Sequence, residues 1–397
     1  MIARQKGLKP KEEKILYHFC EVRVKLDMPD TGFALNDVLA ILAVIVTIVL
    51  AFIGFPGIYN RWQEQKKGKE FESQIDSLIR NARALSDSNE YKETIGRYDG
   101  ILTTISPKKY PNQWGDCQIS LGIAYHNLSL VNNKEINVKK GIQAYREALK
   151  VYKVESYPID YATTQNNLGI AYGTLSEVRD KESNLEKAIE AYRKALKVRT
   201  VESYPIDYAA TQNNLGNAYS TLSEVRDKES NLEKAIEAYR DALKVYKVES
   251  YPINYAATQN NLGVAYSILS EVRDKESNLE KAIEAYRDAL KVYKVESYPI
   301  NYAMTQNNLG NAYRTLSEVR DKESNLEKAI EAYREALKVR TVESYPIDYA
   351  TTQNNLGNAY RTLAVAWYNK GTALKALGRT IEADAAFTKA KELGYTG

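Results

Sequence analysis

The sequence has little of the chemistry that enzymes and metal sites use. Its 397 residues include two cysteines, Cys20 and Cys117, and two histidines, His18 and His126. Two cysteines exclude a disulfide framework and a cysteine-based zinc site. So few histidines also remove most metal-binding and acid–base arrangements. We expect Cys117 to pack as a small apolar side chain and His126 to be hydrogen-bonded or solvent-facing.

Phosphate-binding glycine loops and basic stripes are also missing. Neither G-x-x-x-x-G-K-[ST] nor G-x-G-x-x-G occurs. The net charge is only +4, and residues 157–344 carry 26 Lys and Arg against 29 Asp and Glu. These absences predict a protein without enzymatic activity, cofactor, metal or small-molecule substrate, and without a nucleic-acid partner.

Tyrosine is abundant, with 31 Tyr against 6 Phe, because one motif is copied many times. A Tyr-Pro pair recurs every 47 residues, and an eroded copy precedes the series. The copies start at Tyr110, Tyr157, Tyr204, Tyr251, Tyr298 and Tyr345. The four units within residues 157–344 differ at eight of 47 positions. A short unit copied in register predicts a stacked array.

Each unit reads as two helices. Pro158 suits a first helical turn. One helical face of the first helix then carries Tyr161, Gln165, Leu168, Tyr172 and Leu175. The polar run RDKESN predicts a break, and Ser183 with Glu186 predicts a capping box that opens the second helix. The apolar face of that helix contains Leu185, Ala188, Ile189, Tyr192, Ala195 and Leu196.

These residues resemble the tetratricopeptide repeat. The matching patterns are Gln165-x2-Leu168-Gly169-x2-Tyr172 and Ala188-x3-Tyr192-x2-Ala195. The resemblance implies an all-α solenoid, a right-handed superhelix of helical hairpins. The Gly169–Ala188 separation is 19 residues, which predicts an inter-helix loop about seven residues longer than usual. The run YPIDYATTQNNLG resembles the repeats of kinesin light chain.

The same pattern divides the chain into six parts. They are a tail (1–37), a transmembrane helix (38–58), a juxtamembrane linker (59–73), a degenerate repeat (74–109), five 47-residue units (110–344) and a fused terminal unit (345–397). In the degenerate repeat, Thr94, Ile95, Tyr98 and Ile101 occupy second-helix positions. After Leu363 the sequence skips the polar run and a second helix. Because no Pro or Gly interrupts residues 364–370, one long helix is predicted across this junction.

Residues 38–55 predict a single membrane anchor, because Thr47 is their only polar side chain. As a helix they span ~27 Å, and extension to Ile58 reaches ~30 Å. A buried core helix and a cleaved signal peptide fit less well. Nearby basic residues number two before the segment and four after it, which favours a cell-membrane protein with a cytoplasmic array. Five further Lys and Arg in the tail weaken this bias.

The resemblance also implies that the first helices line a concave groove that binds protein segments. An asparagine pair recurs there, and amides can bond a peptide backbone without reading its sequence. The pairs are Asn166/Asn167, Asn213/Asn214, Asn260/Asn261, Asn307/Asn308 and Asn354/Asn355. Similar asparagine ladders occur in kinesin light chain and O-GlcNAc transferase. The alternative is that one asparagine of each pair bonds a neighbouring helix, and we expect this of one column.

Groove chemistry changes along the array. The C-terminal end of the groove combines Asn311, Arg314, Asn358 and Arg361. This combination predicts a binding site for a carboxylate or an acidic peptide. Drift at exposed positions is the alternative, since outer positions such as Lys194 also vary. The sequence thus predicts a membrane-anchored scaffold or adaptor for protein segments. Alternatives are a self-associating structural array, a module that recruits a separate enzyme, and an outward-facing array that contacts extracellular proteins.

Overall fold

The computed structural model describes residues 56–396, and every regular element in this range is helical. The helices are α1 Pro56–Asp87, α2 Tyr91–Thr104, α3 Pro111–Val131, α4 Lys134–Val151, α5 Pro158–Ser176, α6 Lys181–Leu196, α7 Pro205–Leu222, α8 Lys228–Val245, α9 Pro252–Leu269, α10 Lys275–Val292, α11 Pro299–Leu316, α12 Lys322–Leu337, α13 Pro346–Ala376 and α14 Thr380–Glu392. By its contacts the chain divides into two compact units, residues 1–74 and 75–397.

The tail and residues 38–55 of the predicted membrane anchor lie outside the described residues. The predicted linker, residues 59–73, is helical and belongs to α1. None of the helices between residues 56 and 396 combines the length and apolar character that crossing a membrane requires.

From α3 onward the helices alternate as first and second members of hairpins. The first helices are α3, α5, α7, α9, α11 and α13, and each begins at a proline, as the missing N–H of proline allows. Each first helix packs against the second helix that follows it, and that second helix packs against the next first helix. The predicted all-helical repeat solenoid is therefore confirmed. Upstream, α2 buries Thr94, Ile95, Tyr98 and Ile101 as predicted.

Within each hairpin, the two helices cross where a glycine meets a tyrosine ring. A Cβ atom placed on Gly169 would lie 2.5 Å from Cε1 of Tyr192. Gly216, Gly263 and Gly310 face Tyr239, Tyr286 and Tyr333 in the same way. The rings are almost fully buried, together with the alanines of the second helices. Glycine is therefore required at this position because the ring fills the space that a side chain would need.

The turn between the two helices differs from the prediction. Only residues 177–180 separate α5 from α6, so the predicted long loop is wrong: the additional residues lengthen the helices. The predicted capping box is also wrong, because Ser183 lies inside α6 and no side chain makes a capping hydrogen bond at Asp180, the residue before the helix. Asp180 takes a left-handed φ of 43°, which short polar residues tolerate. The amide of Asn184 instead donates to the carbonyl oxygen of Arg179 at 2.7 Å.

The turns also join neighbouring repeats through ion pairs. Arg226 Nη1 lies 3.1 Å from Glu182 and 2.8 Å from Glu186 of the preceding repeat. Lys181 Nζ in turn lies 2.6 Å from Glu224 of the following repeat. These side chains are exposed, so each pair contributes little alone. Their recurrence fixes the same relation between successive hairpins.

The C-terminal junction forms one long helix. Helix α13 runs through residues 346–376 without a break, which confirms the prediction for residues 364–370. Its C-terminal part packs on α14, where Gly371 faces Phe387. Its N-terminal part packs on α12 of the preceding repeat. The unit that begins at Tyr345 therefore has a first helix without a second helix beside it.

The contacts also show which side of the array is the inner one. Adjacent first helices, from α3 to α13, contact each other. Adjacent second helices in the described range make no such contact. Within residues 75–396 the stack therefore curves with its first helices on the inside. We call the solvent-facing side of the first helices the inner surface.

Candidate functional site

The first asparagine of each pair joins neighbouring first helices. Asn166 Oδ1 accepts hydrogen bonds from Thr211 Oγ1 at 3.2 Å and from Asn214 Nδ2 at 3.4 Å. The same atom of Asn213 accepts from Thr258, that of Asn260 from Thr305 and Asn308, and that of Asn307 from Thr352 and Asn355. Asn166, Asn260 and Asn307 are buried. This column is the one that bonds the neighbouring helix.

Asn354 is the exception in that column. No further 47-residue unit follows its repeat, and its side chain is exposed. The contrast shows that the next repeat, and not the asparagine itself, decides whether this position is available to a ligand.

The second asparagine of each pair lies at the edge of the inner surface. Asn167, Asn214, Asn261, Asn308 and Asn355 are all partly exposed. The Nδ2 atoms of Asn214, Asn308 and Asn355 are held at 3.3–3.5 Å by the first asparagine of the preceding repeat. Within residues 56–396 no donor reaches their Oδ1 atoms. We call these side chains tethered asparagines, because this hydrogen bond orients each amide. The Oδ1 acceptor of each remains toward solvent.

Asn261 uses a different partner. Its Nδ2 donates to Asn217 Oδ1 at 3.1 Å. Asn217 also accepts a hydrogen bond from the Tyr239 hydroxyl at 2.7 Å, and Asn311 accepts one from Tyr333 at 2.8 Å. Where this variable column carries asparagine, it therefore connects the inner surface to the tyrosine that faces the glycine of the same hairpin. Asn358 occupies the same position in α13 and is partly exposed.

Two arginines lie at the C-terminal end of the inner surface. Arg314 is partly exposed in the last turn of α11 and lies near Tyr333, while Arg361 is exposed on α13. Within the described range neither forms an ion pair with a carboxylate. Arg226, in a turn, contacts three carboxylates. The end of the array therefore presents positive charge that the described residues leave unneutralised.

Among the described residues, the remaining reactive side chains are those of Cys117 and His126, and both are at least partly buried between the helices. Cys117 is fully buried, and burial raises the pKa of its thiol to about 12. His126 Nε2 lies 3.0 Å from Thr174 Oγ1, and burial lowers its pKa. Both placements agree with the predictions for these residues. Among residues 56–396 no three His, Cys, Asp or Glu side chains are grouped so that they could hold a metal ion.

Sequence reasoning missed a matched pair between repeats. Arg199 is buried, donates to Thr211 and Thr163 at 3.0 Å, and has Asp207 of the next repeat at 3.7 Å. Burial lowers the pKa of Arg199, and the Asp207 carboxylate opposes that shift. Arg340 and Asp348 repeat the arrangement.

In the units that start at Tyr204 and Tyr251, tyrosine replaces this arginine and asparagine replaces the aspartate of the next unit, whereas Tyr152 of the first unit is followed by Asp160. Tyr246 and Tyr293 face Asn254 and Asn301 of the next repeat. The signal was present in the sequence, because in the four units within residues 157–344 the variable position at the end of one unit changes together with position four of the next. Comparison of positions within single units could not reveal it.

A second missed contact lies on the outer side. Asp241 accepts hydrogen bonds from the Tyr208 hydroxyl at 3.1 Å and from Gln212 Nε2 at 3.3 Å. Asp288 and Glu335 accept from Tyr255 and Tyr302 in the same way. In the repeat that carries Lys194 at this position, the buried Oε1 of Gln165 has no hydrogen-bond partner. Variation in this column therefore affects contacts between the two helices.

Comparison with known proteins identifies the repeat. A family model described as tetratricopeptide repeat matches residues 162–200, 209–245, 256–292 and 303–341. A second model with the same description matches residues 364–393. These ranges fall on the hairpins α5–α6 to α11–α12 and on the last hairpin. No curated protein matches the chain significantly in sequence.

Several solved structures resemble the chain. BtubC (BKLC) from P. vanneervenii is 23% identical, covers 66% of this chain and 93% of its own, and gives a TM-score of 0.40. A thermophilic TPR protein of Thermus thermophilus is 20% identical over 60% of this chain and 98% of its own, with a TM-score of 0.37. The apo quorum sensor NprR from B. thuringiensis is 17% identical over 91% and 99%, with a TM-score of 0.46. Together the matched family models and the stacked hairpins identify this chain as one that carries an array of tetratricopeptide repeats.

Proposed function

We propose that the chain is a membrane-anchored scaffold whose inner surface binds extended segments of partner proteins, without enzymatic activity of its own. The observation that carries the proposal is the row of tethered asparagines. Asn214, Asn308 and Asn355 each present an oriented Oδ1 acceptor at the inner surface. The resemblance of the units to kinesin-light-chain repeats agrees with a protein ligand.

The spacing of these acceptors suits an extended chain. Neighbouring packed helices lie ~8–10 Å apart, and an extended peptide advances ~3.3 Å per residue. Successive asparagines would therefore meet backbone N–H groups about two to three residues apart. Bonds to the backbone do not depend on side-chain identity, so this row supplies affinity, and the variable columns beside it supply selectivity.

The test compares peptide binding by three forms of the full-length chain in detergent. Extended peptides are selected from a random library on the native chain, and their affinities are measured by fluorescence anisotropy. The variant Asn214→Ala, Asn261→Ala and Asn308→Ala should bind them about ten-fold more weakly or worse, because several hydrogen bonds are lost. The control, Glu237→Ala, Glu284→Ala and Glu331→Ala, changes exposed outer positions of the same repeats. Equal affinity in all three forms would remove the asparagine row from the proposal.

The C-terminal arginines define the chemistry of the partner. Because Arg314 and Arg361 lack carboxylate partners among the described residues, we propose that the bound segment is acidic at this end. Arg314→Ala with Arg361→Ala should weaken binding of acidic peptides and flatten its salt dependence. Lys244→Ala with Lys291→Ala removes the same charge from the outer side and should leave binding unchanged. If both double variants behave alike, the acidic-end proposal fails.

We place the scaffold at the cell membrane on the strength of residues 38–58, with the array in the cytoplasm. The apolar run has the length of a spanning helix, and basic residues follow it closely. Deletion of residues 38–58 should move the protein from the membrane fraction to the soluble fraction. In intact cells an external protease should leave the array uncut. Cleavage of the array from outside would reverse the proposed orientation.

A further inference from the structure

The N-terminal part of α13 presents a face that is covered in the preceding repeats. Around Gly357 no atom lies within 4 Å of a Cβ position, whereas the equivalent Gly263 faces the Tyr286 ring at 2.6 Å. Ala350 is exposed, whereas Ala256 is fully buried against Ala289 and Tyr293. The difference arises because this unit lacks its own second helix. We call the residues Tyr349, Ala350, Gln353, Gly357 and Tyr360 the open face.

The polar groups of the open face also lack a partner that they have elsewhere. In the repeat that starts at Tyr251, the Tyr255 hydroxyl and Gln259 Nε2 both donate to Asp288, at 2.9 and 3.2 Å. In α13, Gln353 Nε2 still donates to the Tyr349 hydroxyl at 3.0 Å. Within the described residues no carboxylate completes this pair.

Within residues 56–396, the open face also lacks a cationic side chain that the equivalent tyrosine contacts in the preceding repeats. The ring of Tyr266 lies between Arg240 of the preceding second helix and Lys281 of its own second helix, each at 5.7 Å. Tyr360 keeps the first contact, from Arg334 at 5.7 Å. The second contact would come from the absent helix.

We propose that the open face is a docking site for an amphipathic helix of a partner protein with the pattern Lys-x4-Tyr-x-(Asp/Glu)-Ala. The four specified residues of the pattern correspond to Lys281, Tyr286, Asp288 and Ala289 of α10, which cover the equivalent face of α9. The lysine would lie on Tyr360, the tyrosine on Gly357, the acid at Tyr349 and Gln353, and the alanine on Ala350. The face extends over 15 residues from Pro346 to Tyr360, or ~22 Å, which accommodates about four helical turns.

A second copy of this chain fits the site less well. The run Tyr-x-(Asp/Glu)-Ala occurs four times in the sequence, in α4, α8, α10 and α12. The four tyrosines, Tyr145, Tyr239, Tyr286 and Tyr333, are at most 2% exposed in their own repeats. A second copy would have to open one of its repeats to supply the helix. A partner with an unpaired helix has no such cost.

Helix α14 does not occupy the open face. It packs farther along α13, where Phe387 covers Gly371. Tyr395, after α14, stacks on Tyr368 with ring centroids 4.2 Å apart. The open face is also distinct from the asparagine row, so docking on it does not depend on the proposed binding of extended segments.

The experiment uses a fluorescent peptide with the sequence of α10 and the full-length chain in detergent. We expect saturable binding of one peptide per chain by fluorescence anisotropy. Tyr286→Ala in the peptide should weaken binding about ten-fold or more, because the ring is the central contact. Gly357→Leu in the chain should weaken binding similarly, because the new side chain occupies the place of the ring.

Matched controls separate docking from folding. Leucine favours helix, and Gly357 has free space around it, so Gly357→Leu should keep the native circular dichroism spectrum. Gly173→Leu makes the same change at another first-helix glycine with free space and should leave peptide binding unchanged. The variant Asn214→Ala, Asn261→Ala and Asn308→Ala should also bind the helical peptide normally.

Three results would overturn the proposal. The first is an absence of saturable binding up to about 1 mM peptide. The second is equal binding by the native chain and Gly357→Leu. The third is a mass by light scattering that doubles with concentration for the native chain and stays monomeric for Gly357→Leu, which would assign the open face to another copy of the chain.

Discussion

At the residue scale, identical residues in successive repeats differ in role because their neighbours differ. Gly216 faces a buried tyrosine ring, whereas Gly357 faces open space. Asn307 is buried and bonded to the next repeat, whereas Asn354 is exposed. The sequence alone assigns one role to each column, and the structure shows that the last unit departs from it.

This difference predicts opposite effects of one substitution. Gly216→Ala should lower the free energy of unfolding by about 1–3 kcal/mol, because its Cβ would lie 2.6 Å from Cε1 of Tyr239. Gly357→Ala should raise local stability by about 0.5–1 kcal/mol, because alanine is the better helix former and nothing obstructs it. Denaturant unfolding of the two variants measures the signs. Equal destabilisation by both would mean that the space around Gly357 is filled in solution.

Several site residues could be predicted, and others could not. The sequence predicts that one asparagine of each pair bonds a neighbouring helix, because residues that repeat in register face equivalent neighbours inside the array. Which asparagine bonds the adjacent helix depends on a Thr211 hydroxyl 45 residues away from Asn166. The match of Arg199 with Asp207 crosses a repeat boundary. Helical periodicity within one unit carries no information on such contacts.

At the element scale, helix boundaries are the least predictable feature. The polar run RDKESN predicts a loop, yet its last four residues start the second helix. Lysine and glutamate are good helix formers, so polarity alone does not interrupt the helix. The long helix α13 is predictable, because the absence of breakers across residues 364–370 leaves the backbone no reason to turn.

The corrected cap predicts which residue stabilises the start of a second helix. Asn231 is buried, and its Nδ2 donates to the carbonyl oxygen of Arg226 at 2.7 Å. Asn231→Ala should destabilise the array by about 0.5–1.5 kcal/mol, because the hydrogen bond that joins the start of the helix to the turn is lost. Ser230→Ala, at the position of the rejected capping box, should change stability by less than about 0.5 kcal/mol. Thermal unfolding of both variants distinguishes the two caps, and a larger effect at Ser230 would restore the original prediction.

At the scale of the whole molecule, the repeated tyrosines couple stability to alkaline pH. Burial raises the pKa of Tyr333 to about 12, and it raises those of Tyr239 and Tyr286 above the ordinary value of 10.0. Below pH 10 these phenols are neutral in both the folded and the unfolded chain. Above pH 10 the unfolded chain loses their protons while the folded chain keeps them. The free energy of unfolding should therefore fall as pH rises from 10 through 12.

Circular dichroism and tyrosinate absorbance, recorded together against pH, test this prediction. We expect helix loss and ionisation of the buried tyrosines in the same transition. The variant Tyr239→Phe with Tyr286→Phe lacks two of the ionising groups. Relative to its own value at neutral pH, its free energy of unfolding should fall less between pH 10 and pH 12 than that of the native chain. Ionisation of all tyrosines with the helices intact would contradict the prediction.

The matched residues at repeat boundaries also limit how the gene can change in length. Loss of residues 251–297 would bring Tyr246 next to Asn301, a combination already present in the chain. Loss of residues 204–250 would instead place Arg199 beside Asn254 and leave a buried guanidinium without its carboxylate. The two in-frame deletions have equal size and nearly equal sequence. Selection should nevertheless tolerate the first and remove the second, because only the second destabilises the array.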